Sequence, residues 1–150
     1  MRSQPLSYIN LLLPFVLAFS LFSRSEYSQG SDYLLNISGV LFGETRILNI
    51  HPESESGAIL SKVPLNKMIR LRVTLPRGKT EGGKDLQLAS FSAEMPAHRH
   101  GMVTKATVKK LSPGVFLIEG VKFHMPGEWA LKFQMEFQGK TQDVAMSLKL

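Results

Sequence analysis

Imidazole and thioether side chains are concentrated in two short segments of the sequence. Three of the four histidines lie in them. The first segment, residues 95–102, runs Met-Pro-Ala-His-Arg-His-Gly-Met, and the second, residues 123–129, runs Phe-His-Met-Pro-Gly-Glu-Trp. Histidine binds copper and zinc alike, whereas methionine sulfur favours Cu(I). In a chain without cysteine, these are the ligand types left for a soft or borderline metal.

Strand alternation predicts which of these side chains share a face. Side chains two residues apart on a strand point the same way, so a His-x-His sequence places both rings on one side. Extending the inward positions Phe91 and Ala93 gives Met95 an inward direction, and Phe123 does the same for Met125. Met95 and Met125 are therefore predicted core residues and the less favoured ligands. The outward positions are the predicted metal ligands: His98, His100, His124 and, as a further member, Met102.

The same residues also have a purely structural interpretation. Methionine is an ordinary core filler, and the two segments are then turns of a metal-free domain that binds a partner protein in the envelope. The distance between the imidazole rings distinguishes the two hypotheses. Metal–nitrogen bonds measure about 2.0–2.1 Å, so the imidazoles of one site must lie within about 5 Å of one another.

Other chemistries lack the residues that they need. Without cysteine the chain has no disulfide, no iron–sulfur cluster, no thiolate zinc site and no cysteine nucleophile. It contains no Gly-x-Ser-x-Gly, no His-Glu-x-x-His and no Gly-rich phosphate-binding motif. Glu94, Glu119 and Glu128 could form a carboxylate pair, but nothing in the sequence fixes their separation, and they are expected on the surface. The sequence therefore predicts a protein that is not an enzyme and has no catalytic residues.

The first 22 residues are predicted to lie outside the fold. An apolar run from Ile9 to Phe22 stands between Arg2 and Arg24, the nearest charged residues on either side. As a helix it would measure roughly 21 Å, against a hydrocarbon core of roughly 30 Å. We expect a signal peptide, with an uncleaved anchor as the alternative. Either way the remainder is exported, and it meets a membrane only through an uncleaved N-terminus.

Positive charge is concentrated in one part of a chain whose formal net charge is +6. Between Lys62 and Lys84 there are seven basic residues and a single acid, Glu81. Export argues against nucleic acid as the partner. A solvated sheet face, anionic lipid headgroups and an acidic partner remain as interpretations of this basic segment.

Strand patterns dominate the rest of the chain. Alternation is strongest over residues 128–137 and recurs over 68–75 and 144–150. About seven strands with short connections predict an all-β fold, an immunoglobulin-like antiparallel β-sandwich over residues 58–150. Residues 23–57 are predicted as a linker or irregular segment. Weaker strands are predicted over 58–63, 86–95, 104–111 and 115–125. The predicted core comprises Leu71, Val73, Phe91, Phe123, Trp129 and Phe133.

The two motifs, in this order and at this spacing, resemble the YtkA-like domain. The matching motifs are Met-Pro-x-His-x-His-Gly-Met at 95–102, Pro-Gly-Val-Phe at 113–116 and Phe-x-Met-Pro-Gly-x-Trp at 123–129. The likeness extends over residues 58–150, and His124 is not a position of the motif. It implies a bacterial envelope β-sandwich related to FixH-type proteins. It also implies a partner that is a copper protein or takes part in assembling a respiratory complex, with copper as the cofactor.

Overall fold

A computed structural model describes residues 35–75 and 86–150. The predicted signal peptide or anchor, residues 1–22, lies outside the described residues. Within the described ranges the chain forms nine strands and no helix, and so no helix that could cross a membrane. The strands are β1 (Leu35–Leu41), β2 (Glu44–Ser54), β3 (Ile69–Thr74), β4 (Gln87–Met95), β5 (His100–Gly101), β6 (Thr107–Ser112), β7 (Val115–Val121), β8 (Glu128–Phe137) and β9 (Lys140–Lys149).

The strands form two antiparallel sheets. The first has five strands in the order β1-β2-β3-β7-β6, and the second has four in the order β5-β4-β8-β9. The longest pairing joins β8 and β9, in register from Glu128 opposite Lys149 to Phe137 opposite Lys140. Trp129 and Phe133, on the inner face of β8, are fully buried between the sheets. Alternation of apolar and polar residues thus gives each sheet one dry face, and the two dry faces form the core.

The sequence predicted much of this architecture. The all-β class, the two antiparallel sheets and the strands over 68–75, 86–95 and 128–137 are confirmed, and all six predicted core residues are buried. Residues 58–150 contain seven strands among the described residues, β3 to β9, and β1 and β2 precede them. Residues 58–63 do not form the predicted strand, since only an isolated bridge from Ile59 to Glu53 occurs there. The immunoglobulin-like topology stays a prediction.

The structure differs from the prediction between residues 35 and 54. The sequence predicts an irregular segment over 23–57, but β1 and β2 pair with each other and β2 pairs with β3. Arg46 hides the alternation of β2, because it occupies an inward position and is buried at 8% exposure. Its neighbour Ile47 points outward and is 48% exposed. A charged residue inside and an apolar one outside invert the pattern from which a strand is predicted.

Three connecting segments meet at one end of the sandwich, which we call the histidine end: residues 55–68, 96–106 and 122–127. Asn66 N donates a hydrogen bond of 2.7 Å to Phe123 O, which ties the first segment to the third. Thr104 Oγ1 donates a hydrogen bond of 2.7 Å to Gly120 O, at the end of β7. All three histidines singled out by the sequence lie at this end.

Candidate metal centre

The β4–β5 hairpin positions His98 and His100. Met95 pairs with His100, and the intervening turn closes through hydrogen bonds to Met95 O from His98 N (3.1 Å) and Arg99 N (2.9 Å). Arg99 has a φ of 55°, in the left-handed region that lets the chain reverse. His98 is therefore an exposed turn residue, and only His100 lies on a strand.

The turn overturns the predicted direction of His100 and Met102. Residues directly opposite in an antiparallel pair point to the same face, and Met95, the partner of His100, is 1% exposed in the core. His100 therefore projects from the inner face rather than the outer one. Met102, also predicted outward, is partly buried and packs against the core. The alternation of inward and outward side chains along β4 therefore cannot be extended through the four-residue turn into β5.

The crossover from β7 to β8 brings His124 to the same place. Residues 122–127 carry the chain from the five-stranded to the four-stranded sheet. The ring centres of His100 and His124 are 5.3 Å apart, and those of His98 and His100 are 5.7 Å apart. Two rings that share an ion through bonds of about 2.0–2.1 Å have centres at most about 6.5 Å apart. Both neighbouring pairs are within that reach.

Trp129 lies against this cluster from the core side. Its ring centre is 5.5 Å from that of His124 and 6.5 Å from that of His100, both edge-on. The indole is fully buried, and its Nε1 donates a hydrogen bond of 3.0 Å to Met125 O. The sequence predicted Trp129 as a core residue but not as the residue on which the histidines pack. That role depends on a contact between two sheets, which alternation within one strand does not encode.

The nitrogens of His124 and His100 have unequal hydrogen-bonding environments. His124 Nδ1 is buried and has no hydrogen-bond partner in the described structure. A buried nitrogen without a partner is a costly arrangement unless another group satisfies it. His100 Nδ1 lies 3.2 Å from Gly101 O. When Nδ1–H donates to that carbonyl, Nε2 carries the free lone pair, the usual arrangement of a ligating imidazole.

The methionines divide into core and peripheral positions. Met95 lies in the core, in agreement with its predicted inward direction, and a Cβ at Gly127 would come within 2.8 Å of its Cε. Met125 and Met102 are partly buried and pack against the core. A groove of about 330 Å³ beside the hairpin gives access to His100. Glu94, Met95, Pro96, Arg99, His100 and Gly101 line it.

The imidazoles are neighbours, but they do not converge on one point. Among the described residues, no three histidine, aspartate or glutamate side chains are placed so that they could hold a metal ion together. The rings of His98 and His100 are inclined at 34°, and those of His100 and His124 at 33°. The three histidines are thus neighbours at one end of the sandwich, without forming a ready-made set of three metal ligands among the described residues.

The fold divides the predicted basic segment, Lys62–Lys84. Arg70 and Arg72 both form ion pairs with Glu53, whose side chain is only 3% exposed. Arg77, Lys79 and Lys84 lie outside the described residues. Among the described residues of the segment, Lys62 and Lys67 are the exposed cations, and both belong to the histidine end.

These observations define a small two-sheet all-β domain with a histidine cluster at one end. A family model described as YtkA-like matches residues 61–134, so this segment, which includes all three clustered histidines, is a YtkA-like segment. No curated protein and no solved structure matches the chain.

Proposed function

We propose that the chain is an exported β-sandwich protein that binds copper at the histidine end. It acts as an accessory or chaperone-like protein that holds or hands over the ion. The observation that carries the proposal is the placement of His100 and His124, with ring centres 5.3 Å apart and a buried, unpartnered Nδ1 on His124. The absence of cysteine excludes a blue-copper thiolate, so binding rather than electron transfer is the expected activity.

His100 and His124 form the centre of the proposed site, and the remaining donors complete it. His98 is exposed on its turn and is free to rotate toward the other two rings. Met102 follows His100 by two residues and is partly buried at the same end. A ligand set of two imidazoles with a third imidazole or a thioether suits Cu(I). A copper protein or a protein that assembles a respiratory complex is the proposed partner, as the family resemblance implies.

A copper titration of the purified full chain tests the proposal. Cu(I), supplied under reducing conditions against a chromogenic chelator, should bind with a stoichiometry of one and a Kd below micromolar. His100→Ala and His124→Ala should each weaken binding at least tenfold, because each removes a ligand. Trp129 is the single tryptophan and lies beside both rings, so its fluorescence reports occupancy of the site directly.

His51→Ala is the matched control. His51 is the fourth histidine and lies on β2, opposite Arg72, outside the histidine end. Its removal takes away one imidazole without touching the cluster, so copper affinity should not change. Binding no tighter than micromolar, or an equal loss in His51→Ala and His100→Ala, would overturn the copper proposal.

A metal-free interaction module is the second candidate. The lack of three suitably placed histidine, aspartate or glutamate side chains among the described residues favours it. In this case the cluster is a polar cap over Trp129, and the domain binds its envelope partner without an ion. The copper titration separates the two candidates, because the module predicts no change in Trp129 fluorescence at stoichiometric copper.

A further inference from the structure

The cations of the histidine end lack ion pairs. Five basic residues lie in its three segments, and the only acid there is Glu55. None of the five forms an ion pair among the described residues, whereas five basic residues on the strands do. The unpaired cations are Lys62, Lys67, Arg99, Lys105 and Lys122. The paired cations are Arg46, Arg70, Arg72, Lys109 and Lys132.

Exposed aliphatic side chains lie among these cations. Ile59 is 66% exposed, Leu65 is 41% exposed and Val103 is 68% exposed. Leu65 precedes Asn66, whose φ of 57° marks a tight reversal of the chain. Half of the exposed large hydrophobic side chains of the described residues thus lie on the connecting segments of one end. Aliphatic side chains surrounded by lysine and arginine form the composition that binds to anionic lipid surfaces.

The place where the N-terminal sequence joins β1 also favours membrane docking at the histidine end. Leu35, at the start of β1, pairs with Ile50, beyond the middle of β2, and β2 continues from there for four residues toward residues 55–68. The sequence before Leu35 therefore joins the sandwich on the side of the histidine end. Only residues 23–34 separate the apolar run from β1. At about 3.3–3.6 Å per residue they reach at most about 43 Å.

We propose that the histidine end docks on an anionic membrane surface. Lysine and arginine contact the lipid headgroups, and Ile59, Leu65 and Val103 enter the interfacial layer. An acidic protein would satisfy the same charges. However, protein interfaces are enriched in aromatic side chains, and the exposed large hydrophobics of the described residues are all aliphatic. The proposal does not rest on the copper site, since none of the three aliphatic residues belongs to it.

The absence of cysteine makes a direct test available. In the full chain, Val103→Cys carries an environment-sensitive fluorophore at a unique site, and Val40→Cys carries it at a site of similar exposure, 61%, near the far end of β1. Vesicles of phosphatidylcholine and phosphatidylglycerol in equal parts should shift the emission at Val103→Cys to the blue. Pure phosphatidylcholine should not, and Val40→Cys should respond to neither.

Charge-reversal variants test the electrostatic contribution to the proposed membrane binding. Combining Lys62→Glu, Lys67→Glu and Lys105→Glu should weaken binding to the anionic vesicles at least about 100-fold, because each lysine near the surface contributes about fivefold. Lys105→Glu alone should weaken binding, while Lys140→Glu, the same change at the start of β9, should not. Raising the ionic strength to 1 M, where the screening length is about 3 Å, should also release the wild-type chain.

Three outcomes would overturn the proposal. They are equal shifts at Val103→Cys and Val40→Cys, equal binding to neutral and anionic vesicles, or binding that the triple reversal leaves unchanged. A response to soluble polyglutamate without any response to vesicles would identify an acidic protein as the partner instead. Vesicle binding by His100→Ala should equal that of wild type, so failure of the copper proposal and failure of this one are distinguishable.

Discussion

At the scale of single residues, the histidine cluster consists of imidazoles that pack on a buried apolar side chain, Trp129. His100 and His124 pack edge-on against an indole that is fully buried. Packing against a rigid aromatic side chain limits the rotamers of both rings and excludes water from one side of each. His98 has no such support. We therefore infer that His100 and His124 are the ordered donors and that His98 is the adaptable one.

Substitution of the methionines tests which side chains belong to the site. Met95→Leu and Met125→Leu should each lower the free energy of unfolding by less than about 1.5 kcal/mol, because leucine nearly conserves the volume. Both variants should bind copper as wild type does, since Met95 lies in the core and Met125 packs against it. Thermal melts and the copper titration measure the two quantities. Unchanged stability with lost copper binding would place the sulfurs in the ligand set.

At the scale of the elements, the sequence predicted the strands better than the turns and crossovers that connect them. The alternation in β8 gave its bounds correctly, because each of its side chains meets either core or solvent. The turn over residues 96–99 is different. Because of this turn, the side chain of His100 lies on the same face of the sheet as that of Met95, although simple alternation places them on opposite faces. The residue types alone do not give the number of residues in the turn. The approach of His98, His100 and His124 was predicted as plausible, but their distances depend on this turn and on the crossover at 122–127.

A bulge at Gly120 is an element-scale feature that a point mutation can test. The β3–β7 register shifts between Ile69 and Leu71, and Gly120 has a φ of 78°. A Cβ there would lie 2.6 Å from Lys105 O, a backbone atom that cannot easily move aside. Gly120→Ala should therefore lower the free energy of unfolding by at least about 1–3 kcal/mol. Chemical denaturation measures this loss.

Gly39→Ala is the control for that substitution. Gly39 lies on β1 without a positive φ, and a Cβ there would meet nothing within 4 Å. Its replacement should be neutral or slightly stabilising, because alanine reduces the entropy of the unfolded chain. Equal losses in the two variants would show that the contact with Lys105 O does not decide the outcome.

At the scale of the whole molecule, the two ends of the sandwich are built differently. The histidine end carries long connecting segments and cations without ion pairs, as the docking proposal requires. At the opposite end the sheets are joined by hydrogen bonds to one side chain. Gln142 on β9 donates from Nε2 to Val40 O and accepts from Phe42 N, both at 2.8 Å. Phe42 also packs against Phe137, with ring centres 5.7 Å apart.

This arrangement also shows why β1 and β2 escaped prediction from the sequence. Their stability depends on partners distant in the chain, such as Gln142, about one hundred residues after Val40 and Phe42. Local alternation was obscured in β2 by the inward Arg46, which pairs with Glu44.

The link through Gln142 yields a prediction for the joining of the sheets. Gln142→Ala removes two hydrogen bonds to backbone groups of the β1–β2 hairpin, each worth about 0.5–1.5 kcal/mol, and should lower the free energy of unfolding by about 1–3 kcal/mol. Gln134→Ala is the matched control, because Gln134 forms only a 3.4 Å hydrogen bond to Asp143 within the same sheet. It should change stability by less than about 0.5 kcal/mol. Hydrogen exchange should locate the loosening in β1 and β2, and copper affinity should stay at the wild-type value, because the link lies at the end opposite the histidines. Equal stabilities of the two variants, or loosening spread evenly over both sheets, would show that Gln142 does not join them.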